Sequence, residues 1–316
     1  MSDEISIPQS LTPLHERLDE IFGSADAARI VTSMAQPKRT AYWCNPLVPG
    51  VSDRPGEPVA GVVGCFSVPA EQRTQLLATA GVADGALYPL NPSSVIAARA
   101  LMVSAAAAGS LDVVEVLDLA AAPGGKTLLI AAEMDNRGRI AAVESVKGRF
   151  HRMRANLARC GVSNTQFYLA DGRSIGRKVA ERFHRVLLDA PCSSEARIRF
   201  AEPASFRYWK PRKVRESAAK QRALLRSAYA ALRRGGSMIY CTCSYAPEEN
   251  ELVVDHLLSR EPTARVLEVD CASALTREGL CVWRQKELDP QLSLARRILP
   301  DELWDGFFLC RIEKVS

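Results

Sequence analysis

The chain has 316 residues, of which 47% are hydrophobic and 24% charged, and a net charge of +5. This is the composition of an ordinary globular protein of one large or two modest domains, and it excludes disorder, collagen and coiled coil. The apolar stretch at 104–109 is far shorter than the ~20 residues of a bilayer span, and the opening MSDEISIPQS lacks the basic and apolar regions of a secretion signal, so no membrane role and a cytoplasmic address are expected. Nine cysteines at irregular spacing suit reduced thiols better than a disulfide framework, which leaves some of them available as nucleophiles.

Residues 1–90 scatter Pro, Gly and Val among short apolar runs. A helical pattern spans 14–22, and turn signals stand at Val48-Pro49-Gly50 and Pro55-Gly56-Glu57-Pro58. They read as a small N-terminal α+β domain. From 91 to 316, β-rich runs alternate with helical patterns. Strands are expected at 113–119, 139–144, 165–170, 184–189 and 237–242, with helices such as 149–159 and 215–232 between them and late edge strands at 265–269 and 306–312. The alternation predicts an α/β fold, a mostly parallel doubly wound sheet with helices on both faces. Such a sheet binds ligands at the carboxyl ends of its strands.

Those ends carry Asp118 with the turn Ala120-Ala121-Ala122-Pro123-Gly124-Gly125-Lys126-Thr127, then Glu144, Asp171-Gly172, Asp189-Ala190-Pro191-Cys192-Ser193 and Cys241-Thr242-Cys243-Ser244. The Gly-rich turn is close to a P-loop, but that motif needs glycine where Ala120 stands. The competing reading is an adenosyl-cofactor site, in which Gly124 and Gly125 let the backbone approach the ligand and Glu144, one strand later, binds ribose hydroxyls. Pro247-Glu248-Glu249 reads as plain helix initiation. His151, His184 and His256 lack ligand spacing, so no metal site is expected.

Charge is segregated. Residues 145–234 hold 22 Lys and Arg against six acids, while the rest of the chain holds 19 basic and 30 acidic residues. The densest part, from Arg207 to Arg226, is interleaved with Phe206, Tyr208 and Trp209. Charge plus exposed aromatics suits a polyanion of stacked bases. The alternative is that Tyr208 and Trp209 pack beneath the following helix.

PGGKT after the first strand, DAPCS after the fourth, and TCS with PEENE after the fifth together resemble the Sun (Fmu-like) family of RNA cytosine-5 methyltransferases, over about two thirds of the chain from Asn91-Pro92-Ser93-Ser94 to Phe307-Phe308. The resemblance implies a Rossmann-like class I methyltransferase fold for 91–316, with residues 1–90 as a candidate RNA-contacting element. It implies S-adenosyl-L-methionine held by Ala120, Ala121, Ala122, Pro123, Gly124, Gly125, Lys126, Glu144, Arg149, Asp171 and Asp189. Cys243 is then the attacking nucleophile, Cys192 assists product release, and Asp189 and Lys126 line the same pocket. The implied partner is RNA, rRNA first and tRNA next, with target choice left to the basic arm from Arg197 to Arg226, residues 1–90 or a partner protein.

The residue types suit that reaction. Cytosine C5 is a poor nucleophile until another nucleophile adds at C6, and a thiolate both adds and leaves well. A carboxyl at N3 and the exocyclic amine, here Asp189, stabilises the adduct and separates cytosine from uracil. Three alternatives stand beside this reading. One is a DNA cytosine-5 methyltransferase with Cys192 as nucleophile, the second a non-catalytic RNA-binding ribosome-assembly scaffold, and the third a nucleotide hydrolase built on the PGGKT turn.

Overall fold

The computed structural model describes residues 5–50, 53–103, 110–271 and 274–315, so the apolar run at 104–109 lies outside the described residues. Helix α1 (Thr12–Ala35) extends well beyond the 14–22 pattern. Gly23, at φ 74°, kinks it, and the apolar spacing then resumes at Ala27, Ile30, Val31 and Met34. The buried stripe of α1 packs on Ala196, Ile198, Trp209, Tyr245 and Leu299.

Strands β1 (Thr40–Cys44), β2 (Glu57–Pro58) and β3 (Cys65–Val68), short helices α2 (Arg73–Leu77) and α3 (Ala80–Ala83), and strand β4 (Leu87–Pro89) follow. The four strands form an antiparallel sheet ordered β2-β3-β1-β4. Helix α4 (Pro92–Met102) starts where the Asn91 side chain accepts the Ser93 N–H at 3.1 Å, with proline in the first turn.

The main sheet is then laid down as β5 (Glu115–Asp118), α5 (Gly125–Glu133), β6 (Arg139–Glu144), α6 (Lys147–Arg159), β7 (Thr165–Leu169), α7 (Ile175–Lys178), β8 (Phe183–Asp189), α8 (Pro211–Ala231) and β9 (Leu232–Thr242). Helix α9 (Glu251–Leu258), β10 (Ala264–Leu267), β11 (Thr276–Glu278), the β12–β13 ribbon (Val282–Trp283, Lys286–Glu287), β14 (Arg296–Ile298) and β15 (Phe307–Lys314) complete it. The order is β11-β14-β15-β9-β8-β5-β6-β7, with β10 also on β15. The core β7-β6-β5-β8-β9 is parallel, which is the doubly wound Rossmann-like arrangement expected. The direction of winding reverses between β5 and β8, which makes the carboxyl ends there the ligand crevice.

Side chains alternate across each strand. Val116 and Ile140 pack with Leu128, Ile130, Phe150 and Leu157 of α5 and α6 on one face. Leu117, Val186 and Tyr240 pack with Leu225, Tyr229 and Val253 of α8 and α9 on the other. Each such wholly buried side chain contributes about 1.5–3 kcal/mol.

Three expectations need correction. The run at 306–312 is not an edge strand, because β15 pairs with β9, β14 and β10 and is buried along most of its length. The helix expected to reach 232 ends at Ala231, and Leu232 already belongs to β9. Pro247 does not start a helix: residues 247–250 form a turn, and α9 begins at Glu251.

Candidate active site

At the end of β5, Leu119 N–H donates to Leu187 O at 3.0 Å and Ala121 N–H to Val143 O at 2.9 Å, so the turn lies between the ends of β8 and β6. Gly124 adopts φ 104°, and a Cβ there would stand 3.1 Å from the Leu157 side chain. A Cβ on Gly125 would stand 3.1 Å from the Tyr88 ring. Both glycines therefore admit protein side chains close to the turn, a role that the sequence reading did not assign them. Thr127 Oγ1 donates to the buried Asp118 Oδ2 at 2.6 Å, and burial raises the Asp118 carboxyl to about 7.

Glu144 ends β6 almost fully buried. Its Oε1 accepts the Val146 N–H at 2.8 Å, while Oε2 accepts no hydrogen bond and faces Arg149 Nη1 at 3.4 Å. Arg149 also donates to Ala122 O at 2.7 Å, so the turn, Glu144 and Arg149 form one group. Asp171 stands apart in character. It is exposed, caps a short turn through the Arg173 N–H at 2.9 Å, and pairs with the Arg173 guanidinium at 2.6 Å.

At the ends of β8 and β9 the remaining sequence candidates converge. Lys126 Nζ donates to Asp189 Oδ2 at 2.6 Å and lies over the Phe307 ring. Burial alone would lower the lysine, but Asp189 outweighs it and holds the ammonium above its ordinary value. Asp189 and Cys241 are register partners, and the two thiols lie just beyond, where Cys192 Sγ and Cys243 Sγ stand 3.2 Å apart. Two thiols at this separation share their protons, because two thiolates so close would repel. Cys243 falls below the usual thiol range, first because Cys192 donates to it and then because Arg197 lies near, while Cys192 is pushed well up by the same contact and by burial. Of the pair, Cys243 is the more acidic thiol and Cys192 the less acidic one.

What the sequence reading missed is the scaffold under these sulfurs. Glu195 and Glu249 are both wholly buried. Glu195 accepts from Trp209 Nε1 at 3.1 Å and from the Tyr245 and Ala246 N–H groups at 2.9 and 3.1 Å. Glu249 accepts from Ser193 N–H and Gln221 Nε2, each at 2.9 Å. Both carboxylates also contact Ser244 Oγ, at 3.0 and 2.8 Å. Burial pushes both acids above their ordinary carboxylate values, which favours a proton held in this pair. Burial, reinforced by Glu195, raises Glu249 to about 7. This network ties the Cys192 loop to the Cys243 loop. The only sequence signal for Glu195 was its place three positions after Cys192, and Glu249 was read as helix initiation, not as a buried acid. Glu248, its neighbour, pairs instead with Arg17 of α1 at 2.6 Å.

Of the aromatics in the basic arm, Trp209 is buried beneath α1 and Phe206 is half-buried, which leaves Tyr208 alone fully presented to solvent at 74% exposure. Arg212 is exposed and pairs with Glu216 along α8. Among the described residues no cluster of His, Cys, Asp and Glu could hold a metal ion, and no helix is long and apolar enough to cross a membrane.

The fold is thus of the Rossmann-like α/β class, with a thiol pair and a Lys–Asp pair gathered at the carboxyl ends of its central strands. The chain belongs to the 16S rRNA methyltransferase RsmB/F family, whose sequence model matches residues 110–313. It is 38% identical over 252 residues to the ribosomal RNA small subunit methyltransferase F of Pectobacterium carotovorum subsp. carotovorum, covering 78% of this chain and 48% of that protein. To the protein of the same name from Erwinia tasmaniensis it is 42% identical over 207 residues, covering 64% and 40%. The chain thus spans about half the length of the curated relatives it matches. Among solved structures, a methyltransferase homolog protein from Pyrococcus horikoshii superposes with a TM-score of 0.78 at 27% identity, covering 95% of this chain and 94% of that one.

Proposed function

We propose that this chain transfers a methyl group from S-adenosylmethionine to C5 of a cytosine in ribosomal RNA, in the cytoplasm, through a covalent bond between Cys243 and C6 of the base. The observation that carries this reading is the 3.2 Å approach of the Cys192 and Cys243 sulfurs beside the Lys126–Asp189 pair. The names of the relatives supply the rRNA. In this reading residues 91–316 form the catalytic unit and residues 1–90 an RNA-contacting element.

The residues present fit the cofactor. Glu144 Oε2 is buried without a hydrogen-bond donor, as suits a carboxylate oxygen that receives a ribose hydroxyl, and Arg149 fixes the turn 120–125 against it. Asp171 adds a carboxylate at the neighbouring strand end. When bound, S-adenosylmethionine would supply an electrophilic methyl group.

The Cys243 thiolate adds to C6, forming the S–C6 bond and moving the C5–C6 π pair onto C5. Asp189 accepts from the exocyclic amine, which uracil lacks, and Lys126 holds that carboxylate in place. The Cys243–C6 bond thus leaves C5 as a carbon nucleophile, which the methyl group of a bound cofactor would alkylate. Bonding of Cys243 to C6 removes the repulsion that kept Cys192 protonated, so Cys192 passes its proton to water and, as the thiolate, takes the C5 proton while the S–C6 bond breaks and its electron pair returns to the Cys243 sulfur. The ring recovers its aromaticity and Cys243 its thiolate. The target base is unstacked into the site, because a helix hides C5 and C6.

The test is nucleoside mass spectrometry for 5-methylcytosine in separately purified rRNA and tRNA, from cells carrying the wild type or Cys243→Ala. Loss from rRNA with Cys243→Ala is expected. A loss confined to tRNA would overturn the substrate, and unchanged rRNA and tRNA would overturn the reading as a whole.

A further inference from the structure

A cleft of about 600 Å³ lies between the N-terminal element and the catalytic loops. On one wall it is lined by Lys38, Arg39 and Arg73, with Pro89, Leu90 and Asn91, and on the other by Arg197, Arg199 and Asp305. Its volume is in the range of about 300–1,000 Å³ typical of ligand sites. The charged side chains of the lining are these five cations against Glu202 and Asp305. The walls are fixed to each other, since Arg39 N–H donates to Glu302 O at 2.9 Å, Lys38 Nζ to Trp304 O at 2.6 Å and Asn91 Nδ2 to Leu303 O at 3.4 Å.

The cations differ in their commitments. Lys38 and Arg199 share the single carboxylate of Asp305, and Arg39 pairs with Glu57. Arg73 touches only Thr40 Oγ1, at 3.5 Å, and neither Arg73 nor Arg197 forms an ion pair among the described residues. Both are exposed. Arg197 stands at the inner end, where its charge acts on Cys243, Asp189, Asp305 and Cys192.

We propose that this cleft holds the stretch of single-stranded RNA that flanks the target cytidine, with Arg73 at its outer end and Arg197 at its inner end each facing a backbone phosphate. The inference rests on the reading of the chain as an RNA methyltransferase and adds the path of the strand. A phosphodiester places one negative charge per nucleotide, which matches a lining with excess positive charge in which the Arg73 and Arg197 guanidinium groups form no ion pair among the described residues. An apolar protein segment would bury those guanidinium groups without partners, at a cost. The path also differs from one along α8, whose arginines lie outside this cleft: the basic arm reaches the cleft through Arg197, Arg199, Ala201 and Glu202, ahead of α8.

The experiment compares Arg73→Glu and Arg212→Glu with the wild-type full chain. It measures fluorescence anisotropy with a short single-stranded RNA across a salt series, together with KM and kcat for methyl transfer to rRNA. Arg73→Glu is expected to weaken binding roughly 5–30-fold, for the loss of one ion pair and the gain of one repulsion. It should also lower the slope of log affinity against log salt by about one, and raise KM with kcat and melting temperature unchanged. Arg212→Glu should change these values less. Equal effects of the two variants, or no effect of Arg73→Glu, overturns the path, as does sensitivity to Arg73→Glu with an acidic peptide but not with RNA. If the wild type binds RNA through Arg73 yet transfers no methyl group, it is the proposed function that fails and not the cleft.

Discussion

The sharpest consequence of the 3.2 Å sulfur contact is that Cys192 sets the ionisation of Cys243. The S–H of Cys192 donates to the Cys243 thiolate, and a hydrogen bond to a charged group is worth about 1.5–3 kcal/mol. One pH unit corresponds to about 1.4 kcal/mol, so Cys192→Ala should raise the Cys243 midpoint by about 1–2 units. Cys192→Ser, which keeps a donor, should shift it less. The second ionisation of the wild-type pair is opposed by about 5 kcal/mol of Coulomb repulsion at an effective dielectric of ~20. Only one thiol of the pair should therefore react quickly near neutral pH. The assay is the rate of iodoacetamide alkylation against pH, read by peptide mass spectrometry, with Cys243→Ala as background. A Cys243 midpoint that stays put or falls in Cys192→Ala would refute the shared-proton account.

Other outcomes follow from the same geometry. If Cys192 removes the C5 proton, Cys192→Ala should accumulate an RNA–protein adduct that survives denaturing electrophoresis and is absent in the Cys192→Ala, Cys243→Ala double variant. Glu249 is raised from 4.5 to about 7 in the folded state, so its stabilising contribution is complete below about 4.5 and is lost as pH rises through about 7. Urea denaturation across that window should show the wild type losing up to about 3 kcal/mol relative to Glu249→Gln, and parallel curves would count against a buried protonated acid. Gly124→Ala places a Cβ at φ 104° against Leu157, so it should cost about 1–2 kcal/mol by thermal denaturation and weaken S-adenosylmethionine binding by calorimetry. Arg297 holds the wholly buried Glu251 through Nε and Nη2, donates through Nη1 to Tyr245 O at 2.9 Å, and lies over Phe22 and Phe308. Arg297→Met leaves that carboxylate unpaired and should cost about 3–5 kcal/mol in urea.

Local pattern was enough to locate the main strands and the polar residues at their ends. A strand buried on both faces is a short β-rich run bounded by turn residues, so β5, β6, β8 and β9 could be read within a few positions, and with them Asp118, Glu144, Asp189, Cys192 and Cys243. The parallel order then follows from the alternation with helices, and the switch point from the order. The kink in α1 was not legible, because Gly23-Ser24-Ala25-Asp26 reads as a helix stop and only burial against Tyr245 and Leu299 carries the helix on. Nor was the interior place of β15, which depends on pairing with strands far away in the chain.

The same limit applies to charge. Glu195, Glu249 and Arg297 look like surface residues in one dimension, yet burial and convergent donors make the first two the brace between the thiol loops and the third the partner of Glu251. Trp209 looked like a stacking platform and is a buried donor to Glu195 instead. Which sulfur is the thiolate depends on a 3.2 Å contact between residues 192 and 243, and proximity of that kind exists only once β8 and β9 lie side by side.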